Sequence, residues 1–196
     1  VIAPWNYPYM TAINAVAPAL IAGNVVLLKH ATQTLLVGER LARAFYAAGV
    51  PEAVFQNLYL DHATTAQLIA DKSFGFVNFT GSVQGGRAIE QAAAGSFTGL
   101  GFELGGKDPG YVMDDADIQA AAETLIDGAM FNSGQCCCGI ERIYVAEVVF
   151  DQFVEHAVAI VNSYQLGNPL DSDTSLGPMA HARFAASVRA QTDDAI

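Results

Sequence analysis

The chain has 196 residues, 52% of them hydrophobic and 15% charged, which excludes the disordered and fibrous classes and leaves ample length for a buried core. A formal net charge of -11, with only nine lysines and arginines, excludes a phosphate-tracking face, so no nucleic-acid partner is expected. No apolar run reaches the ~18 residues of a membrane span; the most hydrophobic window, Ala12 to Leu28, is broken by Asn14, Pro18, Gly23 and Asn24, and no membrane partner is expected.

In chain order, Asn24 to Lys29 is a short β-branched run closed by a turn, the pattern of a buried strand. Thr34 to Ala48 places apolar residues at Leu36, Val37, Leu41, Ala44, Phe45 and Ala48, a helical spacing, and Gly49 followed by Pro51 closes it. Val54 to Leu60 reads as a second strand, Thr64 to Asp71 as a second helix and Gly75 to Thr80 as a third strand. Gly81-Ser82 makes a turn and Gly86 to Ala94 a third helix. Alternating strands and helices with short turns predict parallel βαβ units in an α/β fold. Leu100 to Leu104 and Gly110 to Met113 are further short strands. Ala116 to Phe131 is a long helix, Ile143 to Val145 a strand, and Phe150 to Tyr164 a helix that extends at most to Gln165. The composition shift nearest a domain boundary is Gly105-Gly106-Lys107-Asp108-Pro109.

All three cysteines fall in one run, Cys136-Cys137-Cys138, after Ser133-Gly134-Gln135. A disulfide between neighbours is strained and a zinc site needs spaced ligands, so the run is either a reactive thiol or core packing. Three contiguous side chains face different directions; at most one is poised for reaction and the other two are expected to pack. No histidine or carboxylate cluster completes a metal site, and none is expected. Adjacent reduced thiols without a disulfide framework point to a cytoplasmic setting. Glu103 is an acid at an apolar strand end: burial would raise its pKa and make it a usable base, whereas backbone amides would simply satisfy it. Lys29 ends a buried strand, where a lysine reaches a ribose or phosphate or merely snorkels. Gly81-Ser82 and the glycines after it suit a phosphate at a helix N-terminus, or an ordinary turn. Asn6, between Pro4-Trp5 and Tyr7-Pro8, is either a fixed oxyanion donor or part of an Asx turn.

In this order these pieces resemble the aldehyde dehydrogenase superfamily from Ile2 to about His181. The resemblance is carried by Pro4-Trp5-Asn6, Gly23-Asn24 with Lys29, Phe79-Thr80-Gly81-Ser82 and Glu103-Leu104-Gly105-Gly106-Lys107. It continues through Asp115-Ala116-Asp117, Gly134-Gln135-Cys136-Cys137, Gly167-Asn168-Pro169 and Leu176-Gly177-Pro178. The interval from Glu103 to Cys137 also matches the family's base-to-nucleophile interval. The resemblance implies Cys137 as the nucleophile, Asn6 and the Cys137 N–H as oxyanion donors, and Glu103 as the base that activates water. It implies NAD or NADP as cofactor, contacted by Ile2, Pro4, Trp5, Lys29, Thr32, Gly81, Ser82, Gly86 and Leu104. Tyr7, Met10 and Asn14, on the helix after Asn6, would line the aldehyde pocket with Cys136 and Cys138. Many NAD-preferring members carry glutamate where this chain has Thr32, which removes repulsion toward a 2′-phosphate and leaves NADP open. Gly139-Ile140-Glu141-Arg142 departs from the commoner Ala-Gly-Ser-Arg form.

The fold implied is a Rossmann-like parallel βαβ cofactor-binding portion, residues 1–104, followed by the first part of an α/β catalytic domain, residues 105–196. The chain opens on Val1 without methionine and stops within an apparent helix, so both ends read as cuts and the piece as the centre of a parent more than twice as long. The parent would oxidise a small-molecule aldehyde, succinate semialdehyde among the candidates, as a homodimer or homotetramer. The alternative is that this piece alone is an inactive fold with at most weak nucleotide binding. Transfer of the thioester to coenzyme A is disfavoured, because Glu103 as a base is needed only for hydrolysis.

Overall fold

Residues 1–196 are all described by a computed structural model, and their contacts divide them into two compact units, Val1–Gly105 and Gly106–Ile196. In the first unit β1 (Ile2–Ala3), β2 (Val26–His30), β3 (Phe55–Leu58), β4 (Phe76–Thr80) and β5 (Gly99–Glu103) alternate with α1 (Pro8–Ile21), α2 (Leu35–Ala47), α3 (His62–Ala70) and α4 (Val83–Ala93). All neighbouring strands pair in parallel, in the order β3-β2-β1-β4-β5. Side chains alternate between the two faces of a strand, and two core clusters follow from that. Ala3, Val26, Leu28 and Phe55 meet Ala12 and Val16 of α1 and Ala42 of α2 on one face. Ile2, Val77 and Phe79 meet Ile69 of α3 and Ile89 and Ala93 of α4 on the other. With both faces covered, truncating a fully buried side chain such as Leu28 or Phe55 to alanine costs about 2–5 kcal/mol.

The local chemistry explains where these elements stop and start. Gly49 follows α2 at φ +88°, a left-handed position that glycine takes without a Cβ clash. α4 begins three residues before the expected Gly86, because Ser82 caps it: its hydroxyl accepts from the Gly85 N–H at 3.1 Å. Gly85 and Gly86 are therefore helical. A Cβ on Gly85 would stand 2.6 Å from the Phe79 ring, so the first turn of α4 lies directly on β4. α1 runs through Pro18 for one further turn, closed by the Ala22 N–H to the Pro18 carbonyl at 2.9 Å.

The second unit is a β6 (Asp108–Val112), α5 (Ile118–Met130), β7 (Ile140–Val145) crossover with α6 (Phe150–Ser163) packed on α5 and α7 (Ala182–Ala195) at the end. β6 and β7 form a parallel sheet of two strands. Their register shifts between Asp108 and Pro109, where proline has no N–H to give to the ladder. Val112, Ile118, Ala122 and Phe153 form the core. A Cβ on Gly128 would come within 2.9 Å of Ile140 Cγ1, so α5 approaches β7 closely. α6 ends at Ser163, short of the expected Tyr164. No helix is long and apolar enough to cross a membrane.

Candidate active site

In the first unit the winding reverses between β1 and β4. From β1 the chain moves outward to β2 and β3, then returns to the other side of β1 for β4 and β5. Open parallel sheets bind ligands in the crevice beyond the carboxyl ends of the strands at such a reversal, and this strand order is the one that takes dinucleotides. Trp5 and Asn6 follow β1, and Gly81 and Ser82 follow β4 at the start of α4. Ile2 is the register partner of both Lys29 in β2 and Phe79 in β4, so it sits at the centre of this edge. Ser82 uses its hydroxyl on the Gly85 N–H, which leaves the amides at the start of α4 as the positive end of the helix. A Cβ on Gly81 would meet the Phe79 ring at 2.8 Å, and one on Gly86 would meet Leu104 Cδ2 at 2.9 Å. Any side chain at Gly81 or Gly86 would therefore have to displace the tip of Phe79 or Leu104. These residues suit a dinucleotide: a reversal crevice, a helix N-terminus for phosphate and a cation at a strand end.

That cation, Lys29, is buried, with its Nζ donating to the His30 carbonyl at 3.3 Å. Burial lowers its pKa, and Asp61 at the start of α3 opposes the shift. It is therefore not a snorkelling surface lysine. Thr32 is exposed in the turn before α2. Tyr7 has φ 45° immediately before Pro8 opens α1, which fixes the direction in which the segment carrying Asn6 leaves β1. Tyr7, Met10 and Asn14 recur at helical spacing along one side of α1, away from the buried Ala12 and Val16, and Met10 and Asn14 are exposed. Glu103, the last residue of β5, is exposed rather than buried, and its carbonyl accepts from the Gly81 N–H at 3.0 Å.

In the second unit α5 ends at Met130 and the chain turns left-handed over three successive residues, Asn132 (φ 52°), Ser133 (φ 57°) and Gly134 (φ 72°). Each non-glycine residue there costs roughly 1–2 kcal/mol, so the turn needs support. The support comes from the segment Gly177–Ala180. Ser133 Oγ donates to the Gly177 carbonyl at 2.6 Å, and Gln135 Oε1 accepts from the Ala180 N–H at 2.8 Å. Gln135 Nε2 also donates to the Asn132 carbonyl at 3.0 Å, so one amide ties the start of the turn to Ala180. Sequence reasoning marked Gly134-Gln135 and Leu176-Gly177-Pro178 without giving them this role. The available signal was Asn132 and Gly134, two residue types that tolerate left-handed backbone, on either side of Ser133.

The thiols follow directly. Cys136 is half-buried, while Cys137 and Cys138 are exposed. The outer two were expected to pack in the interior; instead Cys136 Sγ and Cys138 Sγ meet each other at 3.3 Å. That hydrogen bond, then the charge on Cys136, pushes the Cys138 thiol up to about 11. Gly106 lies close: a Cβ there would be 3.1 Å from the Cys137 carbonyl oxygen. An exposed thiol on a loop tied at both ends can act as a nucleophile without first being uncovered. Lys107 and Glu141 pair across the start of the two strands. No group of three or more His, Cys, Asp or Glu side chains is placed to hold a metal ion.

Comparison with known proteins extends these observations. The family model described as "Aldehyde dehydrogenase family" matches residues 1–196. A curated relative from Deinococcus radiodurans, "Succinate-semialdehyde dehydrogenase [NADP(+)]", is 34% identical over 195 residues, covering 100% of this chain and 41% of its own length. The chain thus spans well under half of that relative. Among solved structures, succinic semialdehyde dehydrogenase from Streptococcus pyogenes in complex with NADP+ matches with a TM-score of 0.92 and 31% identity, over 98% of this chain and 42% of that one. An NAD-dependent aldehyde dehydrogenase from Sinorhizobium meliloti matches with a TM-score of 0.92 and 35% identity, over 96% and 38%.

Proposed function

Because the chain belongs to the aldehyde dehydrogenase family, we propose that it carries the nucleophile, the base and the cofactor contacts of an enzyme that oxidises an aldehyde to a carboxylic acid with NAD(P)+. The observation that carries this reading is the family match across all of residues 1–196, with Cys137 exposed on its supported loop. Residues 1–104 are the cofactor-binding part and residues 105–196 the part that bears the thiol.

The Cys137 thiolate forms a C–S bond to the carbonyl carbon while the π pair moves onto oxygen. The Asn6 side-chain amide and the Cys137 backbone N–H donate to that oxyanion. Bound NAD(P)+ supplies the acceptor for the hydride that leaves the same carbon. The oxygen pair then re-forms the carbonyl, and a thioester remains on Cys137. Glu103 removes a proton from water, the oxygen bonds to the thioester carbon, and Cys137 departs as thiolate. Lys29, Thr32, Ser82 and the start of α4 hold the dinucleotide, with Ile2, Pro4, Trp5, Gly81, Gly86 and Leu104 shaping its bed. Tyr7, just before α1, with Met10 and Asn14 on it, and Cys136 and Cys138 beside the nucleophile, are assigned to the aldehyde. Succinate semialdehyde is the substrate and NADP+ an accepted cofactor; the relatives' printed names support both, and the absence of an acid at residue 32 supports the second.

A second reading has its own support. β6 and β7 are a sheet of two strands with one face packed on helices, and its register partners Tyr111 and Tyr144 are both exposed. On this reading the 196 residues by themselves fold and bind nucleotide weakly but do not turn over aldehyde. Aldehyde-dependent reduction of NAD+ and NADP+ is the test, in the isolated chain and in a chimera that sets residues 1–196 into the matching segment of the Streptococcus pyogenes enzyme. A silent chain with an active chimera favours the second reading for the chain and the first for its chemistry. Within the active protein, Glu103→Gln is expected to give one burst of reduced cofactor and then stall in deacylation. An unchanged steady-state rate would remove Glu103 from the role of base.

A further inference from the structure

Only the middle of three thiols takes part in the reaction proposed above, and the outer two have found each other. Cys136 Sγ and Cys138 Sγ stand 3.3 Å apart, within hydrogen-bond range for sulfur. The backbone turns to allow it: the Gly139 N–H donates to the Cys136 carbonyl at 3.3 Å, which curls residues 136–139. Little travel separates that approach from a disulfide, whose S–S bond is about 2.05 Å. A bridge between adjacent residues would strain the planar peptide unit between them, so among three contiguous cysteines the outer pair is the one that closes most easily. Cys138 is exposed and Cys136 half-buried, which leaves the pair open to a small oxidant.

We propose that Cys136 and Cys138 form an oxidisable dithiol, which a hydroperoxide converts to a disulfide that spans Cys137 and leaves the middle thiol unbonded. The Cys136 sulfur attacks the peroxide, an S–O bond forms, the O–O bond breaks, and the departing oxygen leaves as water after protonation. Cys138 gives up its proton, bonds to the Cys136 sulfur and displaces the hydroxyl as a second water. Two thiols are oxidised and one hydrogen peroxide is reduced to two waters. The balance is the same with the two sulfurs exchanged. The bridge draws the backbone of Cys137 into a small ring and so resets the direction of its thiol and N–H. A thiol reductant reverses it.

The test reads thiol chemistry alone, so its result is separate from that of the aldehyde reaction. The chain is treated with hydrogen peroxide, desalted, denatured, and its free thiols are titrated before and after dithiothreitol. The three free thiols of the chain are expected to fall to one and to return in full on reduction, with no covalent dimer on a non-reducing gel. Cys137→Ser should lose both of its remaining thiols at a rate within about twofold of the unsubstituted chain, whereas Cys136→Ser and Cys138→Ser should lose theirs roughly tenfold more slowly or worse. The proposal is overturned if Cys137→Ser keeps both thiols, if either outer variant bridges as fast as the parent, or if the lost thiols appear in a dimer.

Discussion

Lys29 and His30 are neighbours in β2 and point to opposite faces of the sheet. Lys29 lies toward Asp61 at the start of α3, while His30 is tied to α1 and to the turn before α2. The Pro8 carbonyl can only accept, so His30 Nε2 carries the proton at 3.1 Å and Nδ1 accepts from the Thr34 hydroxyl at 2.9 Å. Burial lowers the His30 pKa below its ordinary 6.5, against the Pro8 hydrogen bond and with help from Lys29. The unfolded chain then binds a proton below 6.5 that the folded chain refuses. Stability is therefore complete above 6.5 and declines as the pH falls from there toward the lowered value. Urea unfolding at a series of pH values should show that decline, and His30→Gln should flatten it; an unchanged slope would mean that other groups set it. The contact proposed above between residue 32 and the cofactor's ribose makes Thr32 the place to test cofactor choice. Thr32→Glu should raise the NADP+ Kd by about tenfold or more, equivalent to ~1.4 kcal/mol, while sparing NAD+. Fluorescence of Trp5, the chain's one tryptophan, can report both titrations. Equal weakening of the two cofactors would contradict a contact between residue 32 and the 2′-phosphate. Lys29 was legible as a strand-end cation, but the pairing of His30 was not, because it depends on the carbonyl of a residue that only the folded chain brings near.

At the scale of elements, the loop that presents the thiols is the part whose shape owes most to side-chain hydrogen bonds. Ser133 holds φ 57° and spends its hydroxyl on the Gly177 carbonyl. Ser133→Ala removes the hydrogen bond and keeps the strain, at an expected loss of about 1 kcal/mol. Ser133→Gly removes the same bond but relieves roughly 1 kcal/mol of left-handed strain, and should come out close to neutral. Chemical denaturation of the two variants side by side checks this; alanine equal to or better than glycine would show that the backbone there is unstrained. The regular elements marked by a β-branched apolar run or a helical spacing were legible within a few residues, as with β2, α2, β4 and α6. α4 began early because a Ser82 cap outweighs the low propensity of Gly85 and Gly86. α1 carried no periodic signal through Pro8, Asn14 and Pro18, and only the resemblance placed a helix there. The clamp from Gly177–Ala180 was invisible because it joins segments far apart in sequence.

For the whole molecule, the sequence announced parallel βαβ units but not the strand order that turns them into a binding edge. The order β3-β2-β1-β4-β5 rests on a two-residue strand, Ile2–Ala3, too short for any periodic signal, taking the central place in the sheet. The second unit is less complete in itself. Tyr111 and Tyr144 are register partners in β6 and β7 and both are exposed, an aromatic pair on a sheet of two strands. The chain spans 41% of the length of its Deinococcus radiodurans relative, so catalysis is best tested where these residues have the remainder of an enzyme around them. The decisive measurement is the rate of aldehyde-dependent NADP+ reduction by the Streptococcus pyogenes chimera with Cys137 intact and with Cys137→Ser. Loss of roughly a thousandfold or more is expected on substitution, since removing a covalent nucleophile leaves only binding and oxyanion stabilisation. Retention of oxidation by Cys137→Ser, or by a chimera whose residue 137 has been alkylated, would contradict the assignment of this sulfur as the nucleophile.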